Sequence, residues 1–138
     1  MDVDFRDAAM RHWEDAELLK QEKRAANADQ LYGLAAECAL KGAMAALGAA
    51  TTMRGDLTER SHRVHIEALW DEFQAFAAER KGGRCVSALK SFAENPFADW
   101  SVEQRYAATA AAPSGATLHQ HRRAATCCRT ALQRTEAF

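Results

Sequence analysis

Arginine and histidine stand five residues apart in the stretch Arg60-Ser61-His62-Arg63-Val64-His65, and that pair of side chains could act on a phosphodiester. Cleavage of RNA by its own 2′-hydroxyl needs a base that titrates near neutrality, which histidine supplies. An arginine can clamp the phosphate and offset the charge that develops in the transition state. The plainer reading of His62, Arg63 and His65 is that they are polar residues at the start of an amphipathic helix. A second constellation is Glu37 with Lys41, four apart and in the favourable order for a helical ion pair. On so apolar a helix they could instead meet Arg105 or Tyr106 in a buried polar network able to hold a ligand phosphate, although simple structural pairing is preferred. His119 and His121 are separated by about 200° on a helix and do not form a chelating pair. Only His121 shares an apolar stripe, as a satisfied core histidine does.

Other chemistries lack their residues. Cys38, Cys85, Cys127 and Cys128 show no zinc spacing, and the adjacent Cys127 and Cys128 point to different faces of a helix. Reduced thiols in a cytoplasmic protein are the plain expectation. No Gly-rich phosphate loop, Ser-His-Asp arrangement or HExxH motif is present, so neither a metal nor a cofactor is expected. Arg122, Arg123, Arg129 and Arg134 decorate the last helix and could contact RNA phosphates. No aromatic stacking platform adjoins them in sequence, so a solvated face or a dimer rim is the preferred reading.

The elements that must position these residues are helices. With 138 residues, 48% hydrophobic and 27% charged, the chain fits one folded domain, residues 1–138, with a real core. Alanine is abundant, β-branched residues are scarce and only two prolines interrupt, so propensity favours helix throughout. Phe5, Ala9, Trp13, Ala16 and Leu19 keep one stripe apolar and predict a first helix over 4–23. The second helix, over 28–47 with Asn27 or Asp29 as cap, is apolar nearly all round and must be enclosed by neighbours. Residues 49–61 read as a loop. Ile66, Leu69, Trp70, Phe73 and Phe76 mark an amphipathic third helix ended by Lys81, Gly82 and Gly83. A shorter helical stretch follows near 84–93, and Ser101 with Gln104 has capping-box spacing. Leu118, His121, Ala125, Cys128 and Leu132 share one face of the last helix.

Charge is balanced at −1 overall but not along the chain. Residues 1–30 carry eight acids against five bases, and residues 101–138 carry five arginines against Glu103 and Glu136. Pairing of the two ends within one bundle is favoured over a basic face for a polyanion. No apolar run follows a basic start, so no signal peptide is expected. Glu37 and Lys41 interrupt the longest apolar stretch, so no membrane span is expected either.

The segments RHWEDAELLKQEKRAANADQLYGLAAECALKGAMAAL and WSVEQRYA resemble the HEPN family of small helical bundles. The likeness covers roughly residues 8 to 132 and rests on Ala16 through Leu19, Ala35 through Lys41, the Leu69–Trp70–Phe73 stripe and Arg105–Tyr106. It implies an all-α, up-and-down bundle of four to five helices that often dimerises. Some members of that family are metal-independent RNases, frequently paired with a nucleotidyltransferase-like partner; others are non-catalytic binding or sensing modules. The catalytic members carry Arg-x(4–6)-His, which Arg60 and His65 match in spacing, with Ser61 at the polar position. Here the pair precedes the third helix, whereas the family motif usually lies near the last core helix. The resulting expectation is a non-catalytic binding or regulatory module, homodimeric and cytoplasmic, working with a nucleotidyltransferase-type partner in a toxin–antitoxin or stress system and binding RNA or a nucleotide. The alternatives are an endoribonuclease, with His65 as general base and Arg60 on the scissile phosphate, and a structural dimerisation bundle.

Overall fold

In a computed structural model, which describes residues 1–137, Asp4 is extended and accepts a hydrogen bond from the Asp7 N–H at 3.0 Å. That bond satisfies one of the amides a helix start leaves unpaired, and it opens helix α1, Phe5–Gln21. The next turn is made at Lys23, whose φ of 60° lets the Arg24 N–H reach back to the Leu19 carbonyl at 2.8 Å. Helix α2 therefore starts early and runs Ala25–Ala46. Asn27 and Asp29, expected as caps, lie inside it, which frees the Asp29 carboxylate for a tertiary role.

Helix α2 is the axis of the molecule. Ala28, Tyr32, Ala35, Ala36, Ala39, Leu40, Ala43 and Met44 are all fully buried, so the enclosure expected of this stretch is present. Helix α1 lies antiparallel against it. The Tyr32 hydroxyl donates to Glu17 at 2.6 Å near one end, and Gly42 packs close to Phe5 near the other. Helix α3, Ile66–Ala78, buries Ile66, Leu69, Trp70, Phe73 and Phe76, each worth on the order of 1.5–3 kcal/mol. Helix α4 is only Gly83–Ser87. Beyond it the N–H groups of Leu89 and Phe92 bond three residues back rather than four, so the stretch to residue 93 continues as turns.

Helix α5, Gly115–Arg134, is capped by the Ser114 hydroxyl and buries Leu118, His121, Ala125, Cys128 and Leu132, the stripe that the spacing predicts. It runs in the same sense as α2, because His121 meets Asp29 and Leu132 meets Gly42. The protein is thus an all-α bundle, with five α-helices among the described residues. Its up-and-down alternation is found in the α1–α2 pair, and the long crossover from 47 to 114 brings α5 back parallel to α2. Among the described residues there is no strand, only an isolated pairing of Thr51 with Leu57 inside the 49–61 loop. No helix among them is long and apolar enough to cross a membrane.

The acidic and basic ends of the chain meet. Arg122 grips Glu17 through two bonds of 2.6 and 3.2 Å, and Arg6 pairs with Glu136. Arg129 lies over the Trp13 ring at 4.5 Å, Arg123 over Phe92 at 5.2 Å, and Arg134 donates to the Arg84 carbonyl and the Ser87 hydroxyl. The guanidinium groups of the last helix are therefore committed within the bundle.

Candidate ligand site

One buried acid decides the geometry of the site. Asp29 sits on the alanine-rich face of α2, where no solvent reaches it. A carboxylate there needs partners, because an unpaired buried charge is strongly unfavourable. His121, nearly two turns into α5, supplies the first: its Nδ1 lies 2.6 Å from Asp29 Oδ1. Its Nε2 lies 2.8 Å from Asp99 Oδ1, on the crossover segment. The second oxygen of Asp29 accepts from Gln104 Nε2 at 2.9 Å, and its backbone carbonyl accepts from Trp100 Nε1 at 3.0 Å.

Burial acts against a charged imidazole, but the hydrogen bonds and charges of Asp29 and Asp99 together outweigh it and raise the His121 pKa above 6.5. With a carboxylate oxygen in hydrogen-bond reach of each ring nitrogen, the geometry is that of an imidazolium donating both N–H groups. Phe97 stacks on it with centroids 5.2 Å apart and planes 20° from parallel. The crossover is held in place by the same local rules. Asn95 donates to the Glu67 carbonyl at 2.7 Å and accepts from the Phe97 N–H at 2.9 Å. Ser101 and Gln104 form the capping box that their spacing predicts, with the Ser101 N–H donating to Gln104 Oε1 at 2.8 Å.

Above the triad opens a cavity of about 280 Å³, walled by Ala107, Ala108, Ala111, Ala112 and Pro113 with Ala26 opposite. Asp29, Asp99, Gln104, Thr117 and His121 provide its polar floor. The pocket is half open to solvent, and its alanine walls with a few convergent polar groups are the features of a ligand site.

Because its folded pKa is raised, His121 contributes stability that is fully present below pH 6.5 and disappears as pH rises through the folded value. We expect the melting-temperature gap between wild type and His121→Gln to be widest near pH 6 and to narrow as pH rises through the folded value. A gap that widens with pH would contradict a charged His121.

The residues singled out from the sequence are placed differently. Glu37 and Lys41 do pair, Lys41 Nζ to Glu37 Oε2 at 3.0 Å, both nearly buried. Their further partner is His65, whose Nδ1 is 2.9 Å from Glu37 Oε1. Arg105 and Tyr106 are not in this network: both are exposed, and the guanidinium rests on the Tyr106 ring at 4.9 Å. The reason is positional, since the residues just before them dock at the Asp29 end of α2, about two turns from Glu37. Arg60 is exposed in a short 3-10 turn, Arg60–His62, and its side chain makes no hydrogen bond or ion pair among the described residues. His65 is extended and precedes α3, so no common helix carries the pair. His62 is the buried histidine of that stretch, edge-on to Phe76 at 5.2 Å, with Nδ1 unpartnered among the described residues.

The four cysteines are free, and burial raises the thiol pKa of Cys38 to about 11. Among the described residues no group of three or more His, Cys, Asp or Glu converges as metal ligands would. Sequence reasoning had found His121 on the apolar stripe and Gln104 in its capping box, and it missed Asp29 and Asp99. The one available signal was an acid on the face of a helix otherwise destined for the core. Compared with known proteins, the chain matches no family model, no curated protein and no solved structure.

Proposed function

We propose that this chain is a HEPN-like binding or regulatory module, non-catalytic, whose ligand enters the cavity over Asp29, His121 and Asp99. The observation that carries the reading is that cavity, in which a fully buried ion pair is spent on shaping the floor of an opening rather than on the core alone. A homodimeric state and a nucleotidyltransferase-type protein partner belong to the same reading, and their support is the sequence resemblance over roughly residues 8 to 132. The committed arginines of α5 speak against RNA lying along that helix. A fragment library screened by amide-resolved NMR tests the reading. Hits are expected to shift the amides of Ala107, Ala108, Ala111 and Thr117, and Ala111→Leu, at an exposed position on the cavity wall, is expected to abolish them. A library that shifts none of these amides overturns it.

One observation favours the endoribonuclease alternative. If His65 donates its Nδ1 proton to Glu37, its Nε2 is left as an acceptor on a half-exposed ring, the state of a general base. Total RNA incubated with the protein without added metal is expected to stay intact. Cleavage that disappears in His65→Ala and Arg60→Ala would replace the binding-module reading with this one.

A further inference from the structure

The floor of the cavity carries more negative than positive charge, and both N–H groups of its one cation are already spent. Two carboxylates, Asp29 and Asp99, share one imidazolium, so the triad has a net charge of −1. Both His121 N–H groups are used within it. Asp29 is buried with one partner on each oxygen, His121 and Gln104, and the Gln104 carbonyl oxygen accepts from the Ser101 N–H. Asp99 differs. Its Oδ1 faces His121, its Oδ2 has no hydrogen-bond partner among the described residues, and its side chain is 58% exposed.

No lysine or arginine lines the cavity. An entering anion would lose hydration and meet a carboxylate, whereas a cation would complete a second charge-assisted bond on Asp99. The walls set the rest of the ligand. Alanine methyls and Pro113 offer only short apolar contacts, and about 280 Å³ lies just under the usual range for ligand pockets, so the occupant is compact.

We propose that the cavity binds a small organic cation, an alkylammonium or alkylguanidinium with a short aliphatic body, ion-paired to Asp99 and packed on the alanine wall. The proposal rests on the reading of this cavity as a ligand site and adds the chemical class. Asp99 is the residue that touches the ligand, and Asp29 with His121 positions it. The phosphate groups expected from the family resemblance have no counter-charge here.

Four probes of one size separate the possibilities: n-butylammonium, n-butylguanidinium, butanol and butyrate, each titrated into isotope-labelled protein at neutral pH. The two cations are expected to give saturable shifts at Ala107, Ala108, Ala111 and Ala112. Asp99→Asn is expected to weaken them by about tenfold or more, the size of one charge-assisted contact. Ala111→Leu serves as the blocking variant should Asp99→Asn unfold, and it is expected to remove the shifts. Butanol or butyrate binding as tightly as butylammonium at those amides overturns the cation class and leaves the ligand site standing. Unaltered cation binding by Asp99→Asn also overturns it. Silence of all four probes at those amides overturns the assignment, and the fragment screen then decides separately whether the cavity binds anything.

Discussion

Asp29→Ala is expected to lower the stability of the folded protein by about 3–5 kcal/mol, the cost of removing one partner from a buried ion pair. The imidazolium of His121 would remain fully buried with only the half-exposed Asp99 to compensate it. The Gln104 amide would also lose its acceptor. In a domain of this size such a loss corresponds to a fall in melting temperature of about 10 °C or more. Asp29→Asn keeps the volume and a hydrogen-bonding side chain, so it is expected to fall between wild type and Asp29→Ala. Thermal or urea unfolding of the three proteins at pH 6, where His121 is charged, is the measurement. Asp29→Ala within about 1 kcal/mol of wild type would show that the buried triad is not a charged one.

Gly33→Ala has the second largest expected effect, and its sign runs against helix propensity. In an open helix the change would stabilise by about 1 kcal/mol. Here an added Cβ would lie 2.0 Å from Trp100 Cε2 and 2.3 Å from its Nε1, inside the ring's own volume. Trp100 cannot retreat cheaply, because it is buried and donates its N–H to the Asp29 carbonyl. We expect a net loss of about 1–3 kcal/mol, as for other overpacked cores. Because Asp99 is the residue before Trp100, the displaced ring should also move the cavity floor. Unfolding curves give the stability, and the amide shifts of Asp99 and Gln104 report the displacement. A more stable Gly33→Ala protein with unchanged shifts would contradict this packing.

The two predictions concern the same few residues, and those are the least legible ones in the sequence. Helix positions followed from periodicity, because an amphipathic helix writes its buried face into the local sequence. The stripes of α3 and α5 and the enclosure of α2 are local statements of this kind, and the capping box at Ser101 and Gln104 is another. The pairing of an acidic beginning with a basic end was also readable, since opposite charges in one small bundle have few other places to go.

Contacts between distant segments carry no such local mark. Asp29 and His121 are ninety-two positions apart, and nothing near either one names the other. His65 and Glu37 were both singled out from the sequence, yet in separate constellations, and the structure joins them while leaving Arg60 and Arg105 outside. Arg60 and His65 are joined by a 3-10 turn and an extended step rather than by one helix, a path their spacing does not reveal. Composition and periodicity by themselves determined an all-α chain wrapped round a helix expected over 28–47, because burial of apolar faces is imposed residue by residue. Which polar side chains share a site was decided by the tertiary structure alone. The long crossover returns α5 parallel to α2, and that path, not any motif, sets His121 against Asp29.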